Sequence, residues 1–378
     1  MAKKKTAAES LNRVQQAPPT KYYSTGSTLL DLAISNKYPG GVAANGHITH
    51  IYGANSTAKT VIVQEILGAC QRTGGYSGFI NSEGTLEYDR ADLFGLETGK
   101  WGDFNYREEK RELELKAQNA IKNSFTLNKD FVSKTIKDND NFVCLHPMSI
   151  EQMFDEVLDV FADEASLGSI PKNIAIGVDS LSALPSEVEL GQRLTEGTYG
   201  MSRAKQNSTG FRKYIIKLMN NNVSVIFVDQ TRDSVGTGRN NKVSGGNALK
   251  FYASTRIWLN KPKRILNKHD VPVGVEINFE VEKNKIAAPF RTGKICVIFD
   301  IGIDNVRANI EWLLEGNIES KITKKGSWYQ WDEKTIGQGI EPVIVYIEDN
   351  NLEKELEEEV VRVWNILYDS PKRKKRYE

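Results

Sequence analysis

Cysteine is scarce: three residues in 378, Cys70, Cys144 and Cys296, odd in number and widely spaced. That spacing and the apolar runs around them suit buried free thiols in a reducing compartment better than a disulfide framework or a zinc site. Histidine occurs only four times, with no metal-ligand spacing. No apolar run approaches the roughly 18 residues that span a membrane, and the N-terminus has no signal-peptide apolar stretch. A net charge is missing too, since 50 basic side chains oppose 49 acidic ones. That balance says nothing about nucleic acid, because local asymmetries cancel. What remains is a cytoplasmic globular chain with ordinary apolar (39%) and charged (26%) fractions. Its length allows one large domain and a smaller one.

The most informative stretch is HITHIYGANSTAKT, His47 to Thr60. Ile48 to Tyr52 reads as a strand, Gly53 to Lys59 as a turn of small residues, and Thr60 to Cys70 as a helix. Strand, small-residue loop and helix give the context in which G-x-x-x-x-G-K-[ST] is a phosphate cradle. Backbone N–H groups and the helix N-terminus hold the anion. Lys59 serves the β- and γ-phosphates, and the Thr60 hydroxyl serves Mg²⁺. Ala58 stands where the motif has its second glycine, and a methyl is awkward if that position needs positive φ.

Further strands alternate with helical patterns. YSGFINSEG (Tyr76 to Gly84) ends in Glu83, which reads either as a carboxylate that activates water beside a phosphate loop or as a surface glutamate opening a turn. FVCLH (Phe142 to His146) precedes an amphipathic helix, and NIAIGVDS ends in Asp179, the shape of a Walker B carboxylate that orients Mg²⁺. VSVIFVDQ ends in Asp229 and Gln230. This alternation predicts an α/β fold, a mostly parallel twisted sheet flanked by helices, with its site at the strands' C-terminal edge. Residues 99–140 read as a polar outer insertion containing a charged helix from Arg107 to Ile121. Two polar stretches, Gly191 to Lys205 and Thr231 to Gly246, read as loops leaving the ligand edge. Their Arg193, Arg203, Lys205, Arg232, Arg239 and Lys242 suit the phosphates of single-stranded nucleic acid.

SGGNALKFYAS (Ser244 to Ser254) and EKNKIAAPF (Glu282 to Phe290), with STGSTLLDLA, IYGANSTAKT, FINSEG, VDSLSAL and FVDQTR in that order, resemble the bacterial RecA-type recombinases. The resemblance spans about 22–98 and 142–365. It implies a RecA-like P-loop ATPase core that uses ATP and Mg²⁺. Such a protein forms helical filaments on single-stranded DNA and exchanges strands with a homologous duplex, largely independent of sequence. Residue by residue, it implies that Gly53, Ala54, Asn55, Ser56, Thr57, Ala58, Lys59 and Thr60 hold the triphosphate. Thr60 and Asp179 then hold the metal, Glu83 polarises water, and Gln230 senses the γ-phosphate. Lys283 and Lys285 reach the neighbouring subunit's ATP, as an arginine finger does. Phe251 becomes an interface residue, Gly245 and Gly246 donate to DNA phosphate with Asn247 capping the next helix, and Tyr199 and Val235 fall where apolar side chains enter the stretched bases.

This chain departs from the family pattern at Ala58, at Arg90 (where an adenine-stacking tyrosine is usual), in the 99–140 insertion, and in its basic tail SPKRKKRYE. The expected division is an arm over 1–21, a core over 22–305, a small C-terminal α/β DNA-capture domain over 306–368 and the tail over 369–378. KKGSWYQWDEKTIGQG resembles the family's aromatic hairpin, with Lys321, Lys324, Lys325 and Lys334 beside Trp328, Tyr329 and Trp331. Those aromatics suit duplex capture or a core. A phage-encoded member would act in its host's cytoplasm. Two rival readings stand beside this one: a hexameric RecA-core motor or branch-migration factor, and a non-hydrolysing DNA-coating or mediator protein.

Overall fold

Apolar strand runs become the centre of a single large sheet. In the computed structural model, which describes residues 19–84, 86–119, 127–192, 200–232, 242–243, 247–260, 262–316 and 318–368, nine strands form its main path. In chain order they are β1 Ile48–Gly53, β2 Tyr76–Asn81, β3 Phe142–Leu145, β4 Ile174–Asp179 and β5 Val223–Arg232. They continue with β6 Thr255–Leu259, β7 Pro272–Asn284, β8 Arg291–Ile298 and β9 Gly302–Ile303. Their spatial order is β9-β8-β7-β6-β1-β5-β4-β2-β3. From β6 to β3 every pairing is parallel; from β6 to β9 they are antiparallel. Strands β1 to β4 are buried along their whole length, as strands covered on both faces must be.

The N-terminal residues feed this sheet. Helix α1, Thr28–Ser35, is capped by Ser27, whose hydroxyl accepts from the Leu30 N–H. Helix α2, Lys59–Arg72, packs across β4 through Ile62, Val63, Ile66 and Leu67, all fully buried. It comes so close that a Cβ on Gly177 would lie 2.4 Å from Val63 Cγ1. That approach brings the start of α2 to the end of β4, where the carboxylate stands.

The 99–140 segment holds helix α3, Phe104–Asn119, as the charge pattern implies, and a second helix α4, Lys129–Lys137. Val132 and Ile136 of α4 are fully buried, so this part belongs to the core rather than lying outside it. The polar stretches also hold more structure than their composition suggests. Glu187–Gly191 (α5) carries a Ser186/Glu189 capping box, and Gly200–Asn220 (α6) is a long helix. Strand β5 runs on to Arg232, where Thr231 and Arg232 pair with Val243 and Lys242. The second stretch therefore leaves and returns through a short ladder. Helix α7, Asn247–Tyr252, follows it.

The C-terminal unit comprises α8 (Asn305–Glu315), a meander of β10 (Ile322–Lys325), β11 (Trp328–Trp331) and β12 (Lys334–Gln338), then α9 (Ile340–Asp349) and α10 (Glu353–Leu367). Tyr329 and Trp331 are core residues, while Trp328 is half exposed. Of the hairpin aromatics, only Trp328 is thus available to meet a duplex. The three cysteines are free and buried. Among the described residues, no helix is long and apolar enough to cross a membrane.

Candidate functional site

At the C-terminal end of β1 the chain turns over Ala54–Ala58 into α2. Ser56 and Ala58 both have positive φ, +60° and +53°. The turn therefore takes the left-handed conformation that glycine would serve, and Ala58 adopts it at a cost of about 1–2 kcal/mol. The altered motif keeps the cradle's backbone. Ala58→Gly is expected to stabilise the fold by at most about 1 kcal/mol, because strain relief is opposed by the added freedom of the unfolded chain. Thermal melting checks this; a large destabilisation would show that the left-handed turn is not the native one.

Lys59 lies folded over the turn. Its Nζ donates to Ala54 O at 2.7 Å, Gly53 O at 3.3 Å and Thr57 Oγ1 at 3.3 Å. Burial pushes its pKa below the ordinary lysine value, against the pull of Asp179, Glu83 and Asp229. An incoming phosphate offers this cation a stronger partner than backbone carbonyls. One residue on, Thr60 Oγ1 donates to Asp179 Oδ2 at 2.5 Å. A hydroxyl and a buried carboxylate converging from α2 and β4 form a hard oxygen donor pair, which fits Mg²⁺ with its remaining ligands from phosphate and water.

Glu83 stands beside this pair. The N–H groups of Ser82 and Glu83 donate to Asp179 O at 3.0 and 3.3 Å, tying the end of β2 to the end of β4. The Glu83 carboxylate is exposed, and it accepts from Ser180 Oγ and, at 3.2 Å, from Gln230 Nε2. The Asp179–Ser180 peptide is cis. Glu83, Asp179, Thr60, Lys59 and Gln230, drawn from four separate elements, thus meet at one edge. Ser180 completes the set. Its only sequence signal was its place directly after a strand-ending aspartate.

Arg90 is tethered: its Nη2 donates to Phe299 O, and it lies 3.7 Å from the carboxylates of Glu87 and Asp300. The guanidinium still presents 40% of its side-chain surface, beside the β8–β9 turn.

Lys283, Lys285 and Phe251 gather at the other end of β1. Lys283 Nζ donates to Lys250 O at 2.9 Å and Phe251 O at 2.8 Å, in the last turn of α7. Phe251 is 73% exposed and Lys285 is exposed. With Tyr252, Ser254 and Met219 they line a cleft of about 290 Å³. The Lys285 N–H donates to Ser254 O, and the Ser254 N–H to Ile48 O. Lys285 is therefore level with the first residue of β1, whereas the phosphate turn follows its last. Five residues of strand separate the two, roughly 16 Å. That distance exceeds the reach of the Lys285 side chain; Lys283, opposite Arg256, is level with His50, and its Nζ is turned to α7 rather than to the phosphate turn.

Of the residues expected to contact DNA, Arg203 lies on α6, not in a loop. It pairs with Glu189 at 3.1 Å and donates to Ser182 O at 3.2 Å. Arg232 is the last residue of β5. Arg193, Tyr199, Val235, Arg239, Gly245 and Gly246 lie outside the described residues, as do most of the arm and the whole tail.

Comparison with known proteins identifies the family. The family model for the RecA N-terminal domain matches residues 3–101 and 113–304, and that for the RecA C-terminal domain matches 316–365. Protein RecA of Mycoplasma mycoides is 30% identical over 345 residues, covering 90% of this chain and 83% of the relative. Protein RecA of Prochlorococcus marinus (strain MIT 9211) is 27% identical, covering 90% and 77%. Protein RecA of Legionella pneumophila is also 27% identical, covering 89% and 81%.

Proposed function

The chain belongs to the RecA-type recombinases, and from that premise we propose that it is a DNA-dependent ATPase whose subunits assemble head to tail into a filament on single-stranded DNA. Homologous pairing and strand exchange are the activity of that filament. The observation that carries this reading is the placement of two half-sites at opposite ends of β1. A phosphate turn with Glu83, Asp179 and Gln230 lies at one end, and the half-buried Lys283 and exposed Lys285 with Phe251 at the other. Two unlike surfaces that complete each other between copies make a heterologous interface, which propagates as a helix when it does not close.

In that arrangement the turn and Lys59 bind the triphosphate, and Thr60 and Asp179 hold Mg²⁺, which supplies charge neutralisation at the phosphates. Glu83 accepts a proton from the attacking water, and Gln230, already bonded to it, moves with the γ-phosphate. Lys283 and Lys285 of the next subunit supply positive charge as the phosphoryl group departs. Because Gln230 lies two residues before the end of β5, its movement passes directly into Thr231–Gly246, which contacts DNA. Arg193, Tyr199, Arg203, Arg232, Val235, Arg239, Gly245 and Gly246 are proposed as that DNA surface, and Arg90 as a platform for the base. The deciding test is phosphate release with and without single-stranded DNA, beside strand exchange between circular single strands and linear duplex. Turnover unaffected by DNA, or closed rings seen by electron microscopy, would refute it.

A pH dependence follows. Burial, then Lys285 and Arg256, push the Lys283 pKa down to about 8. A neighbour's phosphates favour the charged form, so docking takes up a proton at higher pH. Nucleotide-driven assembly is expected to be level below about pH 8 and to weaken above it, by up to tenfold per unit. Lys283→Arg should flatten the profile, as read by light scattering from pH 7 to 9.

A further inference from the structure

A chain of buried polar groups runs across the sheet between the two half-sites. Asp229, directly before Gln230, is fully buried on β5; its Oδ2 lies 3.0 Å from His50 Nε2 on β1. Arg256 Nε on β6 lies 3.3 Å from His50 Nδ1. A guanidinium N–H can only donate, so Nδ1 accepts and the ring proton sits on Nε2, donated to Asp229. Burial, which lowers the His50 pKa, agrees with this neutral tautomer. Arg256 Nη1 continues to Glu282 Oε2 at 3.1 Å, which also accepts from Tyr52 OH, and the guanidinium stacks 4.4 Å from the Tyr52 ring centroid.

Glu282 occupies a break in the ladder. Val281 pairs with Ile257 and Lys283 with Arg256, so two residues of β7 advance against one of β6. In an unbroken strand Lys283 would share a face with Val281, which is fully buried. The bulge at Glu282 sets it opposite Arg256 instead, on the other face, from where it reaches the end of α7.

We propose that Glu282, held by Arg256 and Tyr52, is a positioning residue that pins this bulge and so sets Lys283 on the face beside α7 and the exposed Phe251, from where it acts on a neighbour, and that His50 and Asp229 join the pin to the strand carrying Gln230. This rests on the action of Lys283 on a neighbour's nucleotide. Its chemistry differs from that of the lysine, since Glu282 touches no phosphate and acts only through Lys283.

The test is a double-mutant cycle of Glu282→Gln and Lys283→Ala in the full chain. The readouts are DNA-stimulated phosphate release, binding of a fluorescent ATP analogue to the free subunit, and thermal melting. Glu282→Gln is expected to lose about tenfold or more in stimulated turnover with analogue affinity unchanged, and to add less than about twofold to the loss from Lys283→Ala. Tyr52→Phe, a milder change, should show a smaller loss with the same lack of additivity, which keeps the test open if the glutamine variant folds poorly. Full activity of Glu282→Gln beside an impaired Lys283→Ala, or effects that multiply, would overturn the positioning role. Full activity of Lys283→Ala would overturn the underlying reading of the lysine pair instead.

Discussion

Glu83→Gln is expected to lower DNA-stimulated phosphate release by about 10²–10⁴-fold, the usual range for removing a general base, while ATP-dependent DNA binding persists. The amide keeps the shape of the carboxylate, and its one oxygen, at the Oε1 position, can still accept from Ser180 Oγ and, at 3.4 Å, from Gln230 Nε2. It cannot take a proton from water. Lys59, Thr60 and Asp179, proposed to hold the triphosphate and its metal, are untouched. Phosphate release and fluorescence anisotropy of a labelled single strand separate the two effects. If turnover survives, Glu83 is not the base. If DNA binding is lost with it, the carboxylate supports the site's structure and not its chemistry.

The second large effect is expected at the other half-site. Replacing both Lys283 and Lys285 with alanine should lower stimulated turnover by about 10³-fold or more, in line with charges supplied in trans to a transferring phosphoryl group. Analogue binding by the free subunit should be unchanged, because Lys285 lies level with Ile48 and Lys283 with His50, while the phosphate turn lies beyond the end of β1. Stability should change little: Lys285 is exposed, and Lys283 contributes two bonds to carbonyls in the last turn of a short helix. Those bonds have a further consequence. To reach a neighbour, Lys283 must release the α7 carbonyls at Lys250 and Phe251, so filament contact and the setting of Phe251 change together.

Much of this was legible in the chain. The β1–turn–α2 unit, the Asp179 and Glu83 strand ends and the sheet's parallel core follow from apolar runs, small-residue turns and the position of each polar residue. Even the difficulty at Ala58 was visible, and the structure meets it by placing an alanine in glycine's conformation. The pairing of Glu83 with Gln230 was not visible, because 147 residues separate them and only the strand order brings them together. Composition misled at Gly200–Lys205: its polar residues look like loop, but they begin a helix whose apolar face starts later, at Phe211 and Tyr214. Helix α4 was hidden for the opposite reason, its buried residues being few and set among charges. The bulge at Glu282 left no trace at all. It exists only in the register between β6 and β7, and an acidic residue within a strand gives no sign of it.

The most direct test of the shared site mixes two defective proteins. Glu83→Gln subunits keep their lysine pair, and subunits with alanine at 283 and 285 keep their phosphate turn and base. If the lysines act across the interface, an equal mixture on single-stranded DNA rebuilds a whole site at roughly a quarter of its contacts, and turnover should recover to that fraction of the unmodified protein. Turnover no greater than the sum of the two defective proteins would place the lysines' action within their own subunit and contradict the account.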